Sequence, residues 1–209
     1  MAALAGAAVA QPATTSLIVN GGFDDPTDPG AGWSLFNNAA INQPGGLFPD
    51  PAGLLDNNFL GVFGTFSGQE NFGGAAQTLV GWDFGDVITF SAEAYTSSGD
   101  SIVGTENEAF VAINAFDAGG NFLFNVPSVL RVNGSSPEDE IITLQNDFVV
   151  TQSLRGIVDR FEVVAIFRQP AGTFGGGSVF FDNISVTVPT PAAAGVLGLG
   201  GLVAARRRR

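Results

Sequence analysis

The sequence contains no cysteine, no histidine and no lysine, and it has one tyrosine, one methionine and two tryptophans. Each absence excludes something. Without cysteine the chain forms no disulfide, so its stability comes from an apolar core and from any bound cation. Without histidine it loses the commonest general base, the Ser–His and Cys–His nucleophile systems and the commonest transition-metal ligand. With both absent, zinc and iron sites are close to excluded. Positive charge is scarce too. Four of the eight basic residues are Arg206, Arg207, Arg208 and Arg209, which leaves 4 − 20 = −16 for the rest. The other four are Arg131, Arg155, Arg160 and Arg168. Such a surface is repelled by phosphate backbones, so nucleic acid is excluded as a partner. It suits divalent cations or a saline exterior, or serves only solubility.

What is plentiful is phenylalanine, with 19 residues, together with glycine. The hydrophobic fraction is 45% and the charged fraction 13%, half the usual share. A body of roughly 175 residues can bury about 70% of its unfolded surface, which is enough for one domain with its own core. The middle of the chain reads as short strands separated by turns. Expected strands are 17–19, 33–36, 59–63, 75–80, 87–95, 110–116, 121–124, 141–150, 161–167 and 179–188. The run Phe110 to Phe116 is almost continuously apolar and fits a central strand, while the last strand alternates from Phe181 onward. Asp117-Ala118-Gly119-Gly120-Asn121 reads as a hairpin turn, and Gly172–Ser178 as a flexible loop. Residues 26–56 are poor in strand signal and form either a functional or a covering loop. There is no internal repeat and no long amphipathic helix. The expected fold is all-β, a two-sheet sandwich of the jelly-roll kind.

The two ends read as sorting segments. Ala8-Val9-Ala10 before Gln11 is a small-residue cleavage pattern after a short apolar run, as in a signal-peptide remnant covering residues 1–15. At the other end, Val188-Pro189-Thr190-Pro191 precedes an uncharged run, Ala192 to Ala205, and then the four arginines. As a helix that 14-residue run is ~21 Å long, short of the ~30 Å hydrocarbon core. It suits a transient halt, with the arginines held on the cytoplasmic side. The segment resembles a PEP-CTERM sorting tail in its V-P-T-P variant. The resemblance implies export to the cell envelope or extracellular matrix and transient insertion in the membrane. It also implies recognition by an exosortase-type enzyme around Pro189-Thr190-Pro191. Thr190 stands where that family often has Glu. The body then occupies residues 16–188 and the tail 189–209.

Asn20-Gly21-Gly22-Phe23-Asp24, Gly32-Trp33, the stretch Gly85 to Ala92 and Phe181-Asp182-Asn183-Ile184 resemble elements of galactose-binding-like, carbohydrate-binding-module jelly rolls. That resemblance implies a structural Ca²⁺ where the first and last strands meet, with Asp24 and Asp182 as the matching carboxylates. The alternative is that Asp24 caps a turn and Asp182 pairs with Arg168 or a backbone N–H. Sugar recognition needs exposed aromatic platforms. Trp82, in a loop, is the first candidate, followed by Trp33 and Tyr95, although Trp33 at the Gly-Trp position packs in the core of similar proteins. Paired carboxylates of a glycosidase type could come from Glu106 and Glu108, or from Glu138, Asp139 and Glu140, but no pair stands out as acid and base. Gly73-Gly74 and Gly198–Gly201 lack the Lys-Ser/Thr of a phosphate loop. The sequence therefore leads to the expectation of an exported, non-enzymatic structural or binding sandwich. A carbohydrate-binding module for extracellular polysaccharide is the first alternative, and a polysaccharide-active enzyme the second.

Overall fold

The computed structural model describes residues 13–42, 54–55 and 58–189. They form twelve strands: β1 Thr14–Ser16, β2 Ser34–Phe36, β3 Ala39–Asn42, β4 Phe59–Phe63, β5 Asn71–Thr78, β6 Val87–Tyr95, β7 Glu108–Phe116, β8 Phe122–Pro127, β9 Val132–Asn133, β10 Ile142–Val149, β11 Arg160–Gln169 and β12 Ser178–Pro189. A single 3₁₀ turn, Gln152–Leu154, is the only helical element among the described residues. The strands make two antiparallel six-stranded sheets. The first has the order β10-β6-β12-β4-β3, with β1 added beside β12. The second has the order β2-β5-β11-β7-β8, with β9 added beside β7. The all-β jelly-roll expectation holds.

The core lies between the sheets and follows the two-residue period of each strand. Ile88, Phe90, Ala92 and Ala94 of β6 and Phe161, Val163, Ala165 and Phe167 of β11 all point inward. Val179 and Phe181 of β12 do the same, but the next inward residues are Ile184, Val186 and Val188. The parity changes because β12 carries a bulge between Asp182 and Ser185. Asn183 takes the left-handed conformation there, with φ 49°, one of the few non-glycine types that tolerates it. The uninterrupted alternation expected from Phe181 is corrected accordingly.

Other differences from expectation are local. Leu17–Val19 is not a strand; instead β1 precedes it, starting inside the segment expected to be signal remnant. Leu17 ties the two halves together, since its N–H donates to Val186 and its carbonyl accepts from Val80. Gln77 acts as a substitute strand for Val19, accepting from its N–H at 2.7 Å and donating to its carbonyl at 3.0 Å. Residues 26–56, expected to be loop apart from a strand at 33–36, hold β3 as well as β2, Ser34–Phe36, which falls on that expected strand. The hairpin turn after β7 forms as read. Asp117 Oδ1 accepts from the N–H groups of Gly119 and Asn121, and Gly120 supplies φ 78°. No helix among the described residues is long and apolar enough to cross a membrane.

Candidate functional site

The loop Asn20–Asp25 meets the β12 bulge. Ile184 N–H donates to the Gly21 carbonyl at 2.9 Å, and the approach is so close that a Cβ on Gly21 would lie 1.8 Å from the Ile184 oxygen. Beside Gly22, the space a Cβ would occupy is 2.9 Å from Asp24 Oδ2 and 3.6 Å from Asn183 Oδ1. Asp182 is buried at 3% exposure, and its Oδ1 accepts from the Asn183 N–H. Asn183 Nδ2 in turn donates to Glu93 Oε2 at 2.9 Å. The donors around this cradle are hard oxygens, the type that fits Ca²⁺. No cluster of three or more acidic side chains able to hold an ion occurs among the described residues. Backbone carbonyls would therefore have to complete any coordination shell. Arg168 does not pair with Asp182; it lies in the other sheet, against Glu70 and Glu108.

The aromatic candidates fall in three places. Trp33 is buried at 9% exposure, 5.3 Å from Phe23, and its Nε1–H donates to the Asn20 carbonyl. Tyr95 is fully buried and stacks on Phe180 at 5.1 Å. It points out of the first sheet and is sealed by Leu54, Leu55 and Phe59. Neither ring offers a face to a ligand, so both are corrected from sugar platform to packing. Trp82 is half-buried and closes one end of the core, edge-on to Phe161 at 4.7 Å and to Phe84 at 5.4 Å.

A further surface was not anticipated. The outer face of the second sheet carries its own apolar cluster, formed by Phe110, Ala112 and Val164 with Ala76 and Ile166 beside them. The β7–β11–β5 register puts Val164 between Ala112 and Ala76, and Ile166 between Phe110 and Gly74. This strip is bounded at both ends by charge. At one end Arg160 Nε lies 3.0 Å from Glu162 Oε1 and over the Phe116 ring. At the other, Glu108 accepts from both Arg131 and Arg168, while Arg168 also reaches Glu70 at 3.1 Å. From Arg160 to Arg168 the strand covers about 27 Å at 3.3–3.4 Å per residue. A hollow of about 400 Å³ lined by Ser34, Ala76, Thr78 and Glu162 lies at the first end. Another of about 470 Å³, lined by Thr105, Glu106, Asn107, Glu108 and Ser135, lies at the second. The sequence signal for this surface was the continuous apolar run in β7, whose alternate residues face outward rather than into a second layer.

Burial works to raise the Glu108 pKa, but its hydrogen bonds to Arg131 and Arg168 and their charge outweigh it and hold the carboxyl below its usual value. Asp139 is also held low, by hydrogen bonds from the Ser98 hydroxyl and N–H. Both carboxylates are therefore kept ionised, the opposite of what a general acid requires.

Of the sorting motif, Val188 and Pro189 lie at the end of β12, paired with Thr15 and Thr14. Thr190, Pro191, Arg206, Arg207, Arg208 and Arg209 fall outside the described residues, as does the small-residue pattern at Ala8–Ala10.

The sequence matches no protein-family model and no curated protein sequence. Solved structures share the fold. The Stig cyclase Fisc from Fischerella sp. TAU, solved with a pyrrolidinylidene-indole, superimposes with a TM-score of 0.56 at 18% identity, covering 84% of this chain and 98% of that one. The CBM22-1 xylan-binding domain of Xyn10C from Paenibacillus barcinonensis gives a TM-score of 0.50 at 10% identity, over 87% and 99% of the two chains. The arabinose-bound α-L-arabinofuranosidase MgGH51 gives 0.51 at 17% identity, over 85% of this chain and 27% of that one. The chain thus shares its β-sandwich fold with these structures, a carbohydrate-binding module among them. The expectation of a non-enzymatic protein is corrected by the cyclase: this architecture also houses catalysis, and a lack of histidine and cysteine does not remove the chain from that class.

Proposed function

We propose that this is an exported polysaccharide-binding β-sandwich whose ligand lies along the outer face of the second sheet. The observation that carries the reading is the apolar strip on the face of β5, β7 and β11 turned away from the core, whose base of Phe110, Ala112 and Val164 is buried and whose solvent-facing part is Ala76, Ile166 and Phe72, the last 42% exposed. Exposed apolar side chains grouped on one sheet face suit an occupant. Sugar rings have apolar C–H faces that suit the strip, and hydroxyls that suit the polar groups at its ends. Similarity of fold to a xylan-binding domain supports the same reading. Affinity gel electrophoresis of the full chain against xylan, galactan, β-glucan and the exopolysaccharide of the producing cell tests it. Retardation in at least one gel, weakened by Ile166→Asp at the partly exposed edge of the strip, is the expected result. Equal mobility in every gel would end the reading.

The export route follows the tail. An exosortase-type enzyme takes Val188, Pro189, Thr190 and Pro191, with the apolar run held in the membrane and Arg206 to Arg209 behind it. The end of the last strand at Pro189 supports this, because the rest of the motif follows in sequence directly on the folded body, although Val188 itself is held in the core. Mass spectrometry of the exported protein should show the arginines removed; an intact Arg209 on that form would rule the route out. Ca²⁺ occupies the cradle between the first loop and the β12 bulge, held by Asp24, Asp182 and Asn183 with backbone carbonyls.

A further inference from the structure

We infer that the outer-face groove selects uncharged polysaccharide and rejects uronic-acid chains, an inference that rests on the polysaccharide-binding reading above. Ahead of the tail the chain has four arginines, and three of them, Arg131, Arg160 and Arg168, belong to this one face. Each is matched by a glutamate. Arg131 pairs with Glu108, Arg160 with Glu162, and Arg168 with Glu70 and Glu108. Each guanidinium also lies over a phenylalanine ring: Arg131 over Phe110 and Arg160 over Phe116 at 4.6 Å, and Arg168 over Phe72 at 6.0 Å. The planar faces of these arginines are therefore already engaged, as are the N–H groups of Arg131 and Arg168 that reach glutamate oxygens, whereas Arg160 is held near Glu162 by charge and its Nε–H makes no hydrogen bond.

The six paired charges sum to zero, and Glu106, which lines the hollow beside Glu108, adds a further carboxylate to the face. Elsewhere ahead of the tail the chain carries 20 − 4 = 16 carboxylates against 4 − 3 = 1 arginine, Arg155. A chain bearing carboxylates would approach through a negative field and find no unmatched cation at the end of its path. A neutral chain meets no such barrier. It can still bond to glutamate oxygens and to the guanidinium N–H groups that the pairs leave over, while its C–H faces lie against Phe72, Ala76 and Ile166, the apolar residues of the face that reach solvent. The pairs serve as a polar rim that costs a neutral ligand little and gives an anionic one nothing.

The test is affinity electrophoresis of the full chain in a background where Arg206 to Arg209 are replaced by glutamine, so that the tail adds no cationic site. Xylan and β-glucan are the neutral probes; polygalacturonate and alginate are the acidic ones. Retardation is expected in a neutral gel, independent of salt, and absent from both acidic gels. Glu70→Gln, an exposed change that leaves Arg168 one carboxylate short, should gain roughly tenfold in retention by polygalacturonate, and high salt should remove the gain. Glu108→Gln, which unpairs Arg131 and Arg168 together, should gain more. Strong retardation of the unmutated face by an acidic polysaccharide would overturn the selectivity and leave the binding reading standing. No gain in either glutamine variant would also overturn it. No retardation by any polysaccharide would remove both.

Discussion

Trp33 donates its indole N–H to the carbonyl oxygen of Asn20 at 2.9 Å, and so fastens the first loop of the body to the core. The ring also packs on Phe23. These two roles separate on substitution. Trp33→Phe keeps an aromatic against Phe23 and loses the hydrogen bond, which should cost about 1 kcal/mol. Trp33→Ala loses both and should cost about 3–5 kcal/mol. Urea unfolding of the two variants checks this. Equal costs would show that the bond, not the packing, dominates.

Gly21 and Gly22 are adjacent, yet they should respond differently to alanine. A Cβ on Gly21 meets a backbone oxygen, that of Ile184, at 1.8 Å, so the loop and the β12 bulge must separate. A Cβ on Gly22 meets the end of the Asp24 side chain at 2.9 Å, which can rotate away. Gly21→Ala should cost on the order of 3 kcal/mol and Gly22→Ala under about 1 kcal/mol. Thermal unfolding distinguishes them, and a Gly22 variant as damaged as the Gly21 variant would mean that the Asp24 carboxylate is fixed in place.

That possibility bears on the cation. With few formal charges around the cradle, Ca²⁺ affinity should fall in the ~1 mM range of extracellular modules. At about 10 mM Ca²⁺ the folded state then gains about 1.4 kcal/mol, or roughly 3–6 °C in Tm. Asp24→Asn should abolish the shift while leaving the Tm without Ca²⁺ little changed. Differential scanning calorimetry with and without Ca²⁺ measures both. The same Tm in both buffers for the unmutated chain removes the site.

Much of the architecture is legible in the sequence, for physical reasons that also explain the failures. β4 and β6 were read with their observed ends because β-branched and aromatic residues fill them and glycine or polar residues bound them. β3, Ala39–Asn42, was not, because two alanines and an asparagine carry little strand preference and the strand forms by pairing with β4. The bulge at Asp182–Ser185 was hidden as well. A parity change looks like imperfect alternation until Gly21 is seen occupying the Ile184 N–H. The first-loop and bulge cradle was legible because its residues form short motifs. The outer-face groove was not, since its six charged residues are scattered from Glu70 to Arg168 and only strand register assembles them. Tyr95 illustrates the same limit: its neighbours in β6 place it on the outer side of the sheet, but Leu54 and Leu55 cover it.

Trp82 offers a sharper test of where sugars bind. Its edge-on contacts with Phe161 and Phe84 make it the plug of the sandwich end. Removing a half-buried tryptophan should cost about 2–3 kcal/mol, toward the low side of core aromatic truncations. Trp82→Ala should therefore lower Tm while leaving polysaccharide retention within about twofold, a change that corresponds to less than 1 kcal/mol. A variant that keeps its Tm and loses retention would restore Trp82 as a platform and move the ligand to the end of the sandwich.

Glu108 ties the groove to pH. Its folded-state pKa lies below the usual carboxylate value because hydrogen bonds and charge from Arg131 and Arg168 overcome the effect of burial. A depressed carboxylate stabilises the fold above its unfolded pKa, and that contribution disappears as pH falls through the folded one. The pairs are partly exposed, so solvent screens them and the total is modest. Glu108→Gln should lower Tm by about 2–4 °C at neutral pH, the shift that ~1 kcal/mol produces in a chain of this size. The gap should narrow as pH drops below the ordinary glutamate value of 4.5, because protonation of the unmutated side chain leaves it as neutral as the glutamine. Melting curves of the two proteins at neutral pH and near pH ~3, well below the unfolded carboxylate range, measure that convergence. A gap that stayed constant would mean that Glu108 acts through shape and not through charge. The matched charge pairs argued for above would then need another origin.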